Sequence, residues 1–121
     1  MASVCFYFQI HQPWRLCSYS VFRDDPFYFD NDANGKIMEK VAGKCYRPAT
    51  TLILDLLRRH EGRFRVSFSI TLTAIEQMKQ WAPDVLDLLQ ECAQTGCAEF
   101  LSETSHHSLT SLFAPAEFAQ Q

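Results

Sequence analysis

The stretch Val4-Cys5-Phe6-Tyr7-Phe8-Gln9-Ile10-His11-Gln12-Pro13-Trp14 decides the fold. Val4 to Ile10 is mostly apolar and aromatic, the pattern of a strand covered on both faces. Pro13 has no N–H to give to a central ladder, so the strand stops at or before it. Its ring also pushes Gln12 towards an extended conformation. His11 and Gln12 are therefore held where a strand ends and a loop begins. In parallel α/β folds that is where ligands bind.

Outward from this stretch the chain reads as a β/α series. Arg15 to Asn34 is a long irregular segment in which Tyr19, Phe22, Phe27, Tyr28 and Phe29 alternate with Asp24, Asp25, Asp30 and Asp32. Rings flanked by carboxylates suit a sugar, whose C–H patches lie on the ring and whose hydroxyls donate to the carboxylate. A loop packed down by its own aromatics explains the same composition. Asn34-Gly35 reads as a turn, and Ile37, Val41 and Cys45 as the stripe of a short helix. Pro48 suits the first position of a second helix with Leu52, Ile53, Leu56 and Leu57 on its apolar side. Gly62 is its expected stop.

Phe64 to Leu72 alternates cleanly, with Phe64, Val66, Phe68, Ile70 and Leu72 on one face and Arg65, Ser67, Ser69 and Thr71 on the other. Thr73 and Glu76 form a capping-box pattern for the next helix. Pro83 opens another, with Val85, Leu86, Leu88 and Leu89 buried and Gly96 as its end. Cys97 to Glu103 is a third strand, followed by Ser105-His106-His107-Ser108 and a last helix from Pro115. Strands alternating with helices imply an α/β fold with parallel strands.

The 121 residues make room for one small domain. A net charge of -3 with scattered basic residues argues against a nucleic-acid partner. No apolar run reaches the length of a membrane span, and no basic segment precedes an apolar one at the N-terminus, so neither membrane nor secretory leader is expected. The five cysteines are odd in number and form no CxxC pair. They read as buried thiols in a reducing cytoplasm.

With parallel strands, the C-terminal ends gather His11, Gln12 and Trp14, then Thr71 and Thr73, then Glu103, His106 and His107. Glu99 joins them only if its side chain faces the same side. Read alone, His11 serves equally as a hydrogen-bonded structural histidine. A carboxylate in an apolar strand, as at Glu99, needs partners, which favours a site role. His106 and His107 point in different directions, so one of them at most enters a pocket. Metal-ligand spacing of the HExxH kind is absent, as are a Gly-rich phosphate loop and a GxSxG elbow, so no metal and no cofactor are expected.

Three segments together resemble glycoside hydrolase family 57, in its α-amylase-like branch. Phe6 to Leu16 is similar to the first family region, with its His-Gln-Pro core. Gly96-Cys97-Ala98-Glu99-Phe100-Leu101 and its continuation to Leu109 are similar to the second, of Gly-x-x-Glu type. His60 to Ser69 also resembles that branch. The resemblance implies that residues 1–121 are the first three β/α units of an incomplete (β/α)7 barrel. It implies a retaining α-glucan-active enzyme acting on starch, glycogen or maltodextrin by double displacement. His11, Gln12, Trp14, Glu99 and His107 are then substrate-binding. The glutamate nucleophile and aspartate acid/base belong to later family regions, so no catalytic residue is expected in this chain, which alone is expected to be inactive. Ser105-His106 departs from the two tyrosines often found there. Alternatives are a non-catalytic carbohydrate-binding or vestigial module, a 4-α-glucanotransferase or branching activity in the intact parent, and a metal-dependent deacetylase on a related barrel. The expected partners are an α-glucan, the remaining barrel segment, or a second copy joined through open sheet edges.

Overall fold

Three short alternating runs build the sheet of the computed structural model, which describes residues 3–22 and 26–121. β1 is Tyr7–Ile10, β2 is Val66–Ile70 and β3 is Ala98–Leu101. They lie in the order β1-β2-β3, parallel throughout. Tyr7 pairs with Ser67, and Ser67 with Glu99; Phe8 pairs with Phe68, and Phe68 with Phe100. Period-2 alternation then puts Phe8, Phe68 and Phe100 on one face, with ring centroids 5.6 and 5.3 Å apart across the strands.

Helices cover that face alone. After β1 come α1 (Asn31–Val41), a π-helical turn (Ala42–Tyr46) and α2 (Arg47–Arg59). After β2 come α3 (Leu72–Trp81) and α4 (Pro83–Gln94), and α5 (Pro115–Phe118) closes the chain. α1 lies against α3, and α2 against α4. Met38, Leu57, Phe68, Met78 and Val85 are the large buried side chains between helices and sheet. The opposite face carries Tyr7, Gln9, Ser67, Ser69, Glu99 and Leu101, and of these Tyr7, Gln9, Glu99 and Leu101 are exposed.

The expected α/β class and parallel strands are present; several local expectations are corrected. The first strand begins at Tyr7 rather than Val4, and it is covered on one face, not two. Its apolar look comes from Tyr7, whose hydroxyl bonds Ser69 at 2.6 Å on the uncovered side. Asn34 and Gly35 do not turn. They sit buried inside α1, which starts where the Asp30 carboxylate accepts the N–H of Ala33 at 2.9 Å. Asn34 is bonded to the backbone of Arg15, and this anchor sets the phase of the helix. The buried stripe is therefore Asn34, Met38 and Ala42, while Cys45 faces solvent.

The two helices expected around Pro48 run on without a break. The Arg47 N–H reaches back five residues to the Ala42 carbonyl, and Pro48 is the second residue of α2. Thr50, Ile53, Leu54 and Leu57 make its buried stripe, and Leu52 is exposed. The third helix is capped two residues before the expected Thr73, because Thr71 accepts the Ala74 N–H. That ends β2 at Ile70 and leaves Leu72 on the helix surface. Gly96, at φ 68°, stops α4 as expected. The cysteines form no disulfide; Cys92 is buried, but Cys5 and Cys45 are exposed, contrary to the buried-thiol reading. Asp24 and Asp25 lie outside the described residues. No helix among the described residues is long and apolar enough to cross a membrane.

Candidate functional site

The C-terminal ends of the three strands hold one connected polar cluster. At the end of β1, His11 Nδ1 lies 3.0 Å from the Thr71 hydroxyl, at the end of β2. Thr71 also meets Thr73 at 3.1 Å and caps α3, so one buried hydroxyl holds both the histidine and the helix start. The carbonyl of Ser105 accepts the Thr73 N–H, which ties the segment after β3 to the same corner. Gln9 donates from Nε2 to Glu103 Oε1 at 2.7 Å and lies 3.0 Å from His107 Nδ1. His107 reaches the same Glu103 oxygen. The His11 and His107 rings are 5.1 Å apart. His107 takes φ 52°, in the left-handed region that disfavours side chains, so its placement carries backbone strain.

This geometry sets the charges. Burial lowers the His11 pKa, and the neighbouring His107 adds to the shift against a smaller opposite pull from Glu103. His11 is thus neutral at pH 7. Burial pushes Glu103 up, but hydrogen bonding from Ser69, Gln9 and His107 together outweighs it and holds the carboxyl below its ordinary value. Glu103 is thus an anion. The cluster offers a neutral imidazole and a fixed carboxylate on the uncovered side of the sheet, a set suited to hydroxyl groups.

The Gln12 side chain is committed within the protein. Its Nε2 donates to the Tyr46 hydroxyl at 3.0 Å, and its Oε1 accepts from Arg15 at 3.1 Å. Its backbone carbonyl accepts from the buried Gln77 at 2.8 Å. The π-helical turn is what carries Tyr46 under the loop, and burial raises that phenol's pKa so that it stays neutral. Trp14 packs with its ring centroid 5.3 Å from Phe29 and 5.8 Å from Trp81. It is half-buried, a wall of fixed orientation.

His11, Thr71, Thr73, Glu103 and His107 thus come together as the strand order predicts. His106 stays outside, exposed and bonded to Ser105. Glu99 faces the uncovered side, bonded to Ser67 at 3.4 Å. It stands four residues before Glu103, about 13 Å of extended strand away. It lines a separate hollow at the N-terminal ends, with Arg63, Arg65 and Cys97. Gln9 was missed as a cluster member, although its spacing from Tyr7 and His11 marks it as their face-mate. Tyr46, Asn34 and Trp81 were missed for lack of any local signal. No three His, Cys, Asp or Glu side chains among the described residues are arranged to hold a metal ion.

A parallel β/α sheet with a polar cluster at its C-terminal strand ends has the α/β architecture in which ligand sites sit at those ends. More narrowly, the chain belongs to glycosyl hydrolase family 57, whose family model matches residues 5–121. It is also 40% identical over 113 residues to a protein of Methanocaldococcus jannaschii named "Putative alpha-amylase". That match takes in 91% of this chain but 24% of the relative, so the chain spans about a quarter of the relative's length. No solved structure matches it.

Proposed function

We propose that this chain forms the first three β/α units of an α-glucan-active glycosidase barrel and supplies one wall of its substrate site. The observation that carries this is the His11–Thr71 and Gln9–Glu103–His107 cluster at the strand ends of a glycosyl hydrolase family 57 chain. In this reading His11 and His107 contact sugar hydroxyls through ring nitrogens that no protein group engages, and Trp14 offers an apolar wall. Gln12 acts as a positioning residue, since both ends of its amide hold the loop. Glu99 contacts substrate only deeper along the uncovered face.

A retaining glycosidase needs two carboxyls about 5–5.5 Å apart, one of them protonated as acid. Glu103 is held ionised within the strand-end cluster, and Glu99 lines the hollow at the N-terminal strand ends, so these two are not placed as that pair. This supports a nucleophile and acid/base supplied by further sequence of a longer protein, as the relative's greater length allows. The same absence favours the second reading, a carbohydrate-binding module without catalysis. Hydrolysis, glucan transfer and branching differ in acceptor sites that this wall does not define.

Saturation-transfer NMR of the purified chain with maltotriose and maltoheptaose tests the proposal, alongside an assay for released reducing ends. We expect binding without cleavage. His11→Ala weakens it up to about tenfold, the worth of one hydrogen bond. No transfer to either sugar sinks the substrate-wall reading. Sustained hydrolysis by this chain sinks the placement of the carboxyls elsewhere.

A further inference from the structure

We propose that the loop after β1 is a second glucan-contacting surface, serving sugar units beyond those at the strand ends; this rests on the substrate class argued above. The described base of the loop is a built element rather than a slack connection. Leu16 and Phe29 form an antiparallel bridge, the Cys17 N–H donates to the Tyr28 carbonyl at 3.0 Å, and the Asp30 N–H donates to the Arg15 carbonyl at 2.9 Å. Its base is pinned by Asn34, whose buried amide bonds both backbone groups of Arg15.

On this stalk the aromatics face outward. Tyr19 is 87% exposed, Phe22 95%, and Phe27 and Tyr28 each 68%. Four large rings exposed within ten residues form an apolar patch of the kind that marks a binding surface. Leu16, Ser18, Tyr19, Phe27 and Tyr28 line a hollow of about 420 Å³, within the range of small-ligand sites. None of the described lining residues is charged. Neutral rings with hydroxyls at Ser18, Ser20 and the tyrosines fit a neutral ligand with apolar faces and hydroxyl edges, which is a pyranoside.

Continuity points to the same ligand as at the strand ends. Ring contacts run from Trp14 into the loop: Trp14 to Phe29 at 5.3 Å, Phe29 to Tyr28 at 5.0 Å. Trp14 follows His11 by three residues, so the track starts beside the polar cluster. A glucan long enough to leave the strand ends past Trp14 meets Tyr28 and Tyr19 next.

The test is titration calorimetry of the 121-residue chain and its variants with maltotriose and maltoheptaose, with folding checked by circular dichroism. Tyr19→Ala and Tyr28→Ala are expected to weaken maltoheptaose about five- to tenfold and to leave maltotriose unchanged. His11→Ala weakens both. Tyr19 is almost fully exposed, so Tyr19→Ala decides alone if Tyr28→Ala does not fold. Unchanged maltoheptaose binding in the tyrosine variants, or equal losses for both sugars, overturns the inference while the strand-end site stands. Wild-type chain that binds neither sugar overturns both. A wild type that binds both sugars equally tightly leaves no room for a second surface and also overturns it.

Discussion

Asn34 is fully buried, and both ends of its amide are used on Arg15: Oδ1 accepts the Arg15 N–H at 2.9 Å, and Nδ2 donates to the Arg15 carbonyl at 3.2 Å. Truncation leaves the Arg15 N–H unsatisfied in a partly buried corner, while the Arg15 carbonyl keeps the Asp30 N–H, at about 1–3 kcal/mol. Asn34→Ala is expected to lower stability by that amount in urea melts and to loosen the aromatic loop. A change below about 0.5 kcal/mol would show that water replaces the amide freely. Its neighbour Gly35 poses a contest between two terms. Alanine gains about 1 kcal/mol of helix propensity. Its Cβ would stand 2.9 Å from Trp81 Nε1, and Trp81 cannot swing away because Trp14 packs against it. Overpacking costs about 1–3 kcal/mol, so Gly35→Ala is expected to destabilise and to shift tryptophan fluorescence; a more stable variant with an unchanged spectrum would refute this. At this scale the sequence was least legible. The pair Asn34-Gly35 carries a turn signal by composition, and only distant contacts with Arg15 and Trp81 make it helical. His11 was legible by position, as the residue before Gln-Pro at a strand end, whereas Gln12 looks like a ligand-facing residue until Tyr46 and Arg15 are seen to occupy it.

Elements were read best where one periodicity acted alone. β2 alternates Val66, Phe68 and Ile70 against serines, so its helix-facing side could be named from the sequence. β1 does not, because Tyr7 reads as apolar although its hydroxyl serves the polar face. The helix around Pro48 failed for a different reason. A π-helical turn adds a residue to the ladder, absorbs the proline without a break, and shifts the phase of everything after it. Within α2 it is Leu54, not Leu52, that enters the core. The strands and helices are joined chiefly through Phe68, which is 2% exposed and flanked by the rings of Phe8 and Phe100. Phe68→Ala is expected to cost about 3–5 kcal/mol, a large share of the stability of a three-stranded sheet covered on one side. The variant should lose its cooperative thermal transition while keeping helical circular dichroism in part. The Arg58–Glu91 pair between α2 and α4 is solvent-exposed on both partners, so Arg58→Ala should change stability by no more than about 1 kcal/mol.

Two features belong to the molecule as a whole: its acid response and its open sheet. His11 has a folded pKa below its ordinary 6.5, so the unfolded chain takes up the proton first as pH falls. Glu103 has a folded pKa below 4.5 and acts in the same direction further down. Stability from both groups is therefore present at neutral pH, begins to fall through 6.5, and falls again below 4.5. Denaturant melts between pH 8 and 4 should show both declines, and His11→Asn should flatten the upper one alone; stability that rises from pH 7 to 5.5 contradicts the assignment. The sheet's edges follow from its order. β1 and β3 each pair only with β2, so their outer N–H and carbonyl groups are unmatched among the described residues. Phe6, Phe8, Phe100 and Leu101 are 37–49% exposed beside those edges. A barrel removes such edges by closing, and isolated edge strands template association with further strands. The chain on its own is expected to self-associate with rising concentration in sedimentation velocity, and to melt broadly. Leu101→Lys, on the uncovered face of the outer strand, places a charge where a second sheet would add and should shift the distribution towards monomer. A wild-type chain that stays monomeric across the concentration range and melts sharply would show that three β/α units suffice for a closed fold.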